Sequence, residues 1–313
     1  MHKSHFVALL LKDCALPYKN YGYVTLTKPA PVLCYQIATN EVRMLVAVPE
    51  PLPSASTGEL KRFLLETVRP QLPEFFQQPF IAATEEQLRS VPCRTMPTIA
   101  VRRPGALCLG DSLNMRHPLT GGGMTVAFTD VSTIARLLKP LATLSDRTAV
   151  MHTLQPFYAE RRNTAGTINT LAGALYAVFC GGSADPALAP MTDGCFAYFP
   201  HYGTDTLGIV AGIYPNPLLL VMHFFAVAFF TMWQLMKPYS TPGKIMQAFG
   251  VLFAAAKIIG PLLIDNFLTT PSHGFSEVKL GQQSVSSNLL SSTSVLFLAV
   301  VTALSSAAWW FCV

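Results

Sequence analysis

The residue types best suited to chemistry fall in one run, residues 110–130, which reads GDSLNMRHPLTGGGMTVAFTD. A strand-like segment, residues 106–109, ends just before it and delivers Asp111 at its carboxyl edge. In α/β sheets that edge is where ligands bind, so the Asp111 carboxylate is placed to accept hydrogen bonds from sugar-like hydroxyls. Further on, Gly121, Gly122 and Gly123 open a stretch that reads as helical to about Leu138. Residues without a Cβ let the backbone approach a flat ligand closely, and the free N–H groups and positive end of the helix favour an anion. Met124 adds a soft side chain suited to packing on a ring. Three glycines ahead of a helix also make an ordinary tight turn, so the weight lies on the run as a whole. Arg116 and His117 are titratable, but a structural ion pair or a backbone contact is the role expected of them.

The elements that must position this run are legible in outline. Residues 6–11, 21–27, 32–38 and 42–48 are rich in β formers and separated by turn-prone residues, which predicts an antiparallel meander. Residues 59–68 predict an amphipathic helix with Leu60, Phe63, Leu64 and Val68 on one face. A second helix is expected near 78–88, and strands at 98–101 and 106–109. Residues 148–180 read as helical, with Gly166 and Gly173 as weak points.

Three apolar segments follow. Residues 217–236 carry no formal charge and one histidine. At a rise of ~1.5 Å per residue they are long enough for a hydrocarbon core of ~30 Å. Residues 245–264 contain Gly250, Lys257, Gly260 and Pro261 and are expected to be an interfacial or hairpin partner rather than a span. Residues 295–313 are apolar again, with Trp309 and Trp310 near their end, and 269–294, rich in Ser, Gly and Gln, read as a linker.

Composition agrees with contact to lipid. Of 313 residues 51% are hydrophobic and 12% charged, with a mean hydropathy of +0.38; soluble domains carry about 25% charged residues. The net charge of +5 comes without any block of like charges, so nucleic acid is not an expected partner. The cysteines, Cys14, Cys34, Cys93, Cys108, Cys180, Cys195 and Cys312, are odd in number and form no CxxC pair. This speaks against a disulfide framework and a zinc site and for core thiols in a reducing, cytosol-facing compartment. Residues 6–11 are too short an apolar run for a signal peptide.

The string Asn114-Met-Arg-His-Pro-Leu-Thr-Gly-Gly-Gly123, within its Gly-Asp context, closely resembles the second flavin-binding signature of squalene epoxidases. More loosely it resembles the Gly-Asp motif of hydroxybenzoate-hydroxylase-like flavin monooxygenases. HFVALLLKDCALPY and PVLCYQI upstream, and LAGALYAVFC, CFAYF and NPLLLVMHFFAVA downstream, are similar to the same family; from about Thr269 the resemblance ends.

The resemblance implies a partial hydroxybenzoate-hydroxylase-like flavoprotein fold, mixed α+β and α/β, with membrane-associated C-terminal helices. Its expected parts are a substrate-domain meander with helices (1–97), the C-terminal part of an FAD-binding domain (98–145), a helical substrate-pocket region (146–213) and apolar membrane-associated helices (214–313). It implies that Asp111 binds the ribityl or pyrophosphate part of FAD, that Met124 touches the cofactor, and that Leu119, Thr120, Gly121, Gly122 and Gly123 line the flavin. Pro118, Leu119, Leu175, Phe179, Phe196, Phe199 and His223 would face a squalene channel. The implied activity is epoxidation of squalene to (S)-2,3-epoxysqualene in sterol biosynthesis, with O2 and electrons from an NADPH-dependent membrane reductase. The implied place is the endoplasmic reticulum or another intracellular membrane, facing the cytosol. The GxGxxG unit that grips the ADP part of FAD in this family does not occur here, and the family's tyrosine near the flavin belongs to the same missing portion, so the chain is expected to be a C-terminal portion. The alternative is a non-catalytic membrane-bound relative that binds lipid or a protein partner.

Overall fold

The computed structural model describes residues 4–98, 105–181, 188–237, 239 and 241–268. Residues 269–313, with the expected linker and third apolar segment, lie outside them, as do residues 99–101 of one expected strand.

Five strands form one antiparallel sheet: β1 (Ser4–Lys12), β2 (Gly22–Thr25), β3 (Val32–Ala38), β4 (Glu41–Pro49) and β5 (Arg89–Cys93), in the order β2-β3-β4-β1-β5. The four expected strands are present, but only β2-β3-β4 form a meander. β1 skips β2 and pairs with β4, Leu9 opposite Met44. The reason is burial: β1 is apolar on both faces, so it takes a central position, whereas β2, with Val24 exposed, takes the edge. β5 has no run of β formers to announce it; Pro92 is tolerated because the strand lies at an edge.

One face of the sheet, with Val7, Leu9, Leu11, Val42, Met44 and Val46, packs on α1 (Glu59–Phe63) and α2 (Glu74–Thr84), where Phe76 and Phe80 are completely buried. α1 runs on through a π-helical stretch, Leu64–Val68, and a 3-10 turn that carries Pro70. α2 starts earlier than expected because Pro73 opens it, while Pro79 is absorbed inside. The opposite face, with Phe6, Ala47 and Cys93, meets Cys180 of the helical layer.

The helices are α3 (Gly123–Leu138), α4 (Arg147–Thr153), α5 (Phe157–Gly181), α6 (Ala189–Val210), α7 (Pro217–Met236) and α8 (Pro242–Leu263). The expected helix over 148–180 is broken in two just before α5, where Pro156 follows the end of α4. Gly166 and Gly173 are not weak points. A Cβ on Gly166 would lie 2.8 Å from the Phe267 ring and one on Gly173 2.9 Å from Leu262, so these glycines let the end of α8 and the turn beyond it pack against α5. α8 is continuous through Gly250, Gly260 and Pro261, its N-terminus capped by Thr241. α7 and α8 are both long and apolar enough to cross a membrane. Residues 106–109 join none of the five strands; Leu109 is extended (φ −137°, ψ 163°) and runs into a 3-10 turn at Gly110.

Candidate functional site

The glycine-rich run folds as two 3-10 turns leading into α3: Gly110–Ser112 and Pro118–Thr120. Its glycines have separate jobs. Gly110 (φ 57°) and Gly121 (φ 66°) adopt the left-handed conformation that side chains with a Cβ resist. Gly122 packs downward: a Cβ there would meet Ile168 of α5 at 2.4 Å. Gly123 has nothing within 4 Å of its Cβ position, nor has Gly121, so the outer side of the turn is open. Asp111 is exposed, and Met124 is 68% exposed on the same helix as exposed Phe128 and Val131. Thr120 Oγ1 is buried without a hydrogen-bond partner among the described residues.

His117 pins this turn from below. Its Nδ1 accepts from the Leu119 N–H (3.2 Å), so in the neutral ring Nε2 carries the proton and donates to Ser4 Oγ of β1 (3.1 Å). The ring lies 4.0 Å from that of Tyr176 on α5 and meets the edge of Phe6. Burial pushes the His117 pKa down to about 4. A histidine whose nitrogens are both committed, held neutral inside the fold, is a tie between sheet, turn and helix rather than an acid–base group. Arg116 donates to Asn114 Oδ1 (2.6 Å), to the Asn114 carbonyl (3.1 Å) and to the Gly122 carbonyl (3.4 Å). Two of the three are the backbone contacts expected of it, and the shortest is to a neutral side chain.

Two anchors were not assigned from the sequence. Asn114 Nδ2 donates to the Met96 carbonyl (2.7 Å), beside a two-way backbone bridge between Met96 and Met115. Arg161 of α5 closes on Asp130 of α3, with its third nitrogen on Thr98 Oγ1 at 2.8 Å. Thirty-one positions separate Arg161 from Asp130, and no local spacing rule announces such a pair. The signal available was an arginine on the inward face of a helix otherwise lined by small and apolar residues.

Of the residues expected to face an apolar channel, Leu175, Phe199 and His223 line one cavity of about 50 Å3 between α5, α6 and α7. Phe179, Phe196 and Phe199 form a ladder of rings 5.7 and 5.9 Å apart. His223 Nδ1 is 2.9 Å from the hydroxyl of Tyr198, a residue the sequence reading passed over. Pro118 and Leu119 sit in the glycine turn and do not line this cavity; Leu119 is buried and Pro118 exposed. A shallow depression of about 490 Å3 at the free end of the sheet, between Tyr21 and Tyr35, holds none of the expected site residues.

The family model for squalene epoxidase matches residues 2–249. Squalene epoxidase 1 of Arabidopsis thaliana is 44% identical over 265 residues, 83% of this chain and 50% of its own length. Squalene monooxygenase of Mus musculus is 37% identical over 268 residues, 83% of this chain and 46% of its own. The chain therefore spans about half the length of the curated relatives it matches. Among solved structures, a Klebsiella pneumoniae HpxO variant complexed with FAD has a TM-score of 0.50 at 17% identity, covering 69% of this chain and 55% of that one, and shares the fold.

Proposed function

This chain belongs to the squalene epoxidase family, and on that premise we propose that the protein binds FAD and epoxidises squalene to (S)-2,3-epoxysqualene. The observation that carries the reading is the turn 110–124, which presents an open glycine edge, an exposed carboxylate and an exposed methionine on a rigidly tied base. These residues fit the flavin end of FAD: the space at Gly121 and Gly123 admits a flat ring, and the buried Thr120 hydroxyl lacks a partner. Met124 and the 119–123 backbone would line the ring, and Asp111 would accept from the ribityl or pyrophosphate region.

When bound, reduced FAD would supply the electrons that activate O2, and one atom of that O2 is the oxygen transferred to the substrate. The chain's own residues position and exclude. Leu175, Phe179, Phe196 and Phe199 would hold the apolar substrate and keep water out, with His223, tied to Tyr198, as a polar element in that wall. Ligand pockets of this kind usually measure roughly 300–1,000 Å3, so substrate entry must part α5, α6 and α7 beyond the present 50 Å3. Epoxidation calls for little side-chain proton transfer, which agrees with the locked state of His117. Two long apolar helices support association with a membrane. An intracellular membrane such as the endoplasmic reticulum, a cytosolic orientation and electrons from an NADPH-dependent membrane reductase complete the proposal, as do residues 1–97, 98–145, 146–213 and 214–313 as its functional parts.

The test is the full-length gene product in membranes, supplied with reductase, NADPH, O2 and squalene. Bound FAD and a 2,3-epoxide are expected. A folded full-length protein with neither flavin nor epoxide overturns the reading.

A further inference from the structure

The cavity between α5, α6 and α7 measures about 50 Å3, so a bulky apolar substrate needs one of its walls to move. Two of the walls are clamped. α5 is bonded to α3 through Arg161 and Asp130. At Gly166 and Gly173 it lies so near the end of α8 that a Cβ would meet Phe267 at 2.8 Å and Leu262 at 2.9 Å. α7 begins at Asn216, whose side chain accepts from the N–H groups of Leu218 and Leu219 (2.9 and 3.2 Å). Further along, its Thr231 leaves no room for a Cβ on Gly194 of α6.

The third wall, α6, is in two parts. Met191, Cys195 and Tyr198 of its first part are buried in the main core of the helical layer, and Tyr198 bonds His223 (2.9 Å). Pro200 then lacks the N–H that would bond the Phe196 carbonyl, and Tyr202 leaves the helical region (φ −131°, ψ 22°). Beyond this kink, residues 203–210 belong to a separate, smaller cluster: Ile209, 2% exposed, packs with Leu171 of α5 and Leu220 of α7. Thr206 Oγ1 donates to the carbonyls of Tyr202 (3.0 Å) and Gly203 (3.2 Å), both within α6 itself. The segment runs out at Gly212, whose φ of 74° favours glycine and whose Cβ position lies 2.7 Å from Thr125 Cγ2. The Tyr214 ring folds back against Gly208 and so travels with the segment. Thus a short helix lies between a proline kink and a left-handed glycine, seated chiefly by one isoleucine.

We propose that residues 203–210 are a gate: they swing about the kink at Pro200 and Tyr202 and about Gly212, withdrawing Thr206, Ile209 and Val210 from the cavity to admit the apolar substrate between α5 and α7. This rests on the reading above that the cavity receives squalene. The bound substrate requires the parted state, so whatever makes parting harder weakens binding by the same factor. Alanine at positions 200 and 203 does so. At 200 it restores the missing N–H, and at 203 it narrows the backbone freedom of glycine.

The experiment compares the full-length, FAD-loaded protein with its Pro200→Ala/Gly203→Ala variant. Squalene turnover is measured in membranes with reductase, NADPH and O2, and backbone hydrogen exchange on the purified proteins. In the variant, exchange across residues 203–210 should slow roughly tenfold and kcat/KM for squalene should fall roughly tenfold, with flavin content unchanged. Slowed exchange with unchanged kcat/KM overturns the proposal. Exchange that does not slow overturns it as well, because the hinge then lies elsewhere. If the double variant does not fold, Gly203→Ala alone is compared, since its methyl meets nothing within 4 Å. An unaltered full-length protein that holds FAD but forms no epoxide overturns the parent reading, whereas normal epoxidation with either negative result in the variant overturns this inference alone.

Discussion

Arg161 of α5 and Asp130 of α3 face each other through two hydrogen bonds of 2.9 Å, with side chains 2% and 1% exposed. The pair ties the helix that begins at the glycine turn to the long helix beneath it. Removing one partner leaves an uncompensated buried charge, which costs about 3–5 kcal/mol, whereas replacing both by apolar groups of similar volume costs far less. Asp130→Ala and Arg161→Met should each lower the chemical-denaturation midpoint sharply, and Asp130→Leu/Arg161→Met should recover much of the loss. A double variant that loses the sum of the two single losses would show that the pair is incidental.

The glycines of the turn make a sharper prediction, because stability and flavin binding separate. Gly122→Ala forces a methyl to 2.4 Å from Ile168 and should cost about 1–3 kcal/mol. Gly123→Ala meets nothing within 4 Å and should leave stability unchanged or raise it by up to about 1 kcal/mol, since alanine favours helix. In the full-length protein Gly123→Ala should nonetheless lower FAD affinity at least tenfold, because the methyl points into the open side of the turn. Flavin content and thermal melting, measured together, check both halves.

His117 gives stability a pH dependence of defined sign. Its folded pKa is about 4, below the ordinary histidine value of about 6.5. The unfolded chain therefore binds the proton first, so this contribution is complete above about pH 6.5 and is lost as the pH falls from there towards 4. Melting temperature should drop across that window, and His117→Gln should flatten the drop. A profile that is the same with and without the histidine would remove it as the cause.

The local levels of this structure are legible in the sequence, and the long-range ones are not. α7 falls on the expected residues because a charge-free apolar run bounded by Pro217 and Lys237 has few alternatives. The turn at 110–124 is equally plain because glycine and proline act locally. The position of β1 was missed because strand order depends on burial from both faces, which the even spacing of four strands does not encode. β5 escaped because its residues, Arg-Ser-Val-Pro-Cys, have low strand propensity and are held by pairing to β1. The ties of the site, Arg161–Asp130 and His117–Ser4, span 31 and 113 positions, and single-sequence periodicity carries no record of them.

The last prediction concerns the apolar helices. Met246, Phe249 and Phe253 are 79%, 64% and 68% exposed at helical spacing along α8, and Leu218 and Met222 project from α7. At the far end of α7 the Lys237 ammonium sits 3.2 Å from the Trp233 ring centroid, an aromatic–cation pair of the kind that favours the headgroup level. Each exposed phenylalanine taken from water into hydrocarbon contributes about 1.5–3 kcal/mol. Replacing Phe249 and Phe253 together by serine should thus weaken partitioning onto phosphatidylcholine vesicles by roughly two to four orders of magnitude, while the α6–α7 core, on other faces, stays folded. Flotation of the intact and substituted full-length proteins with vesicles measures this. Undiminished flotation of the double variant would mean that α8 meets the membrane by another face or not at all.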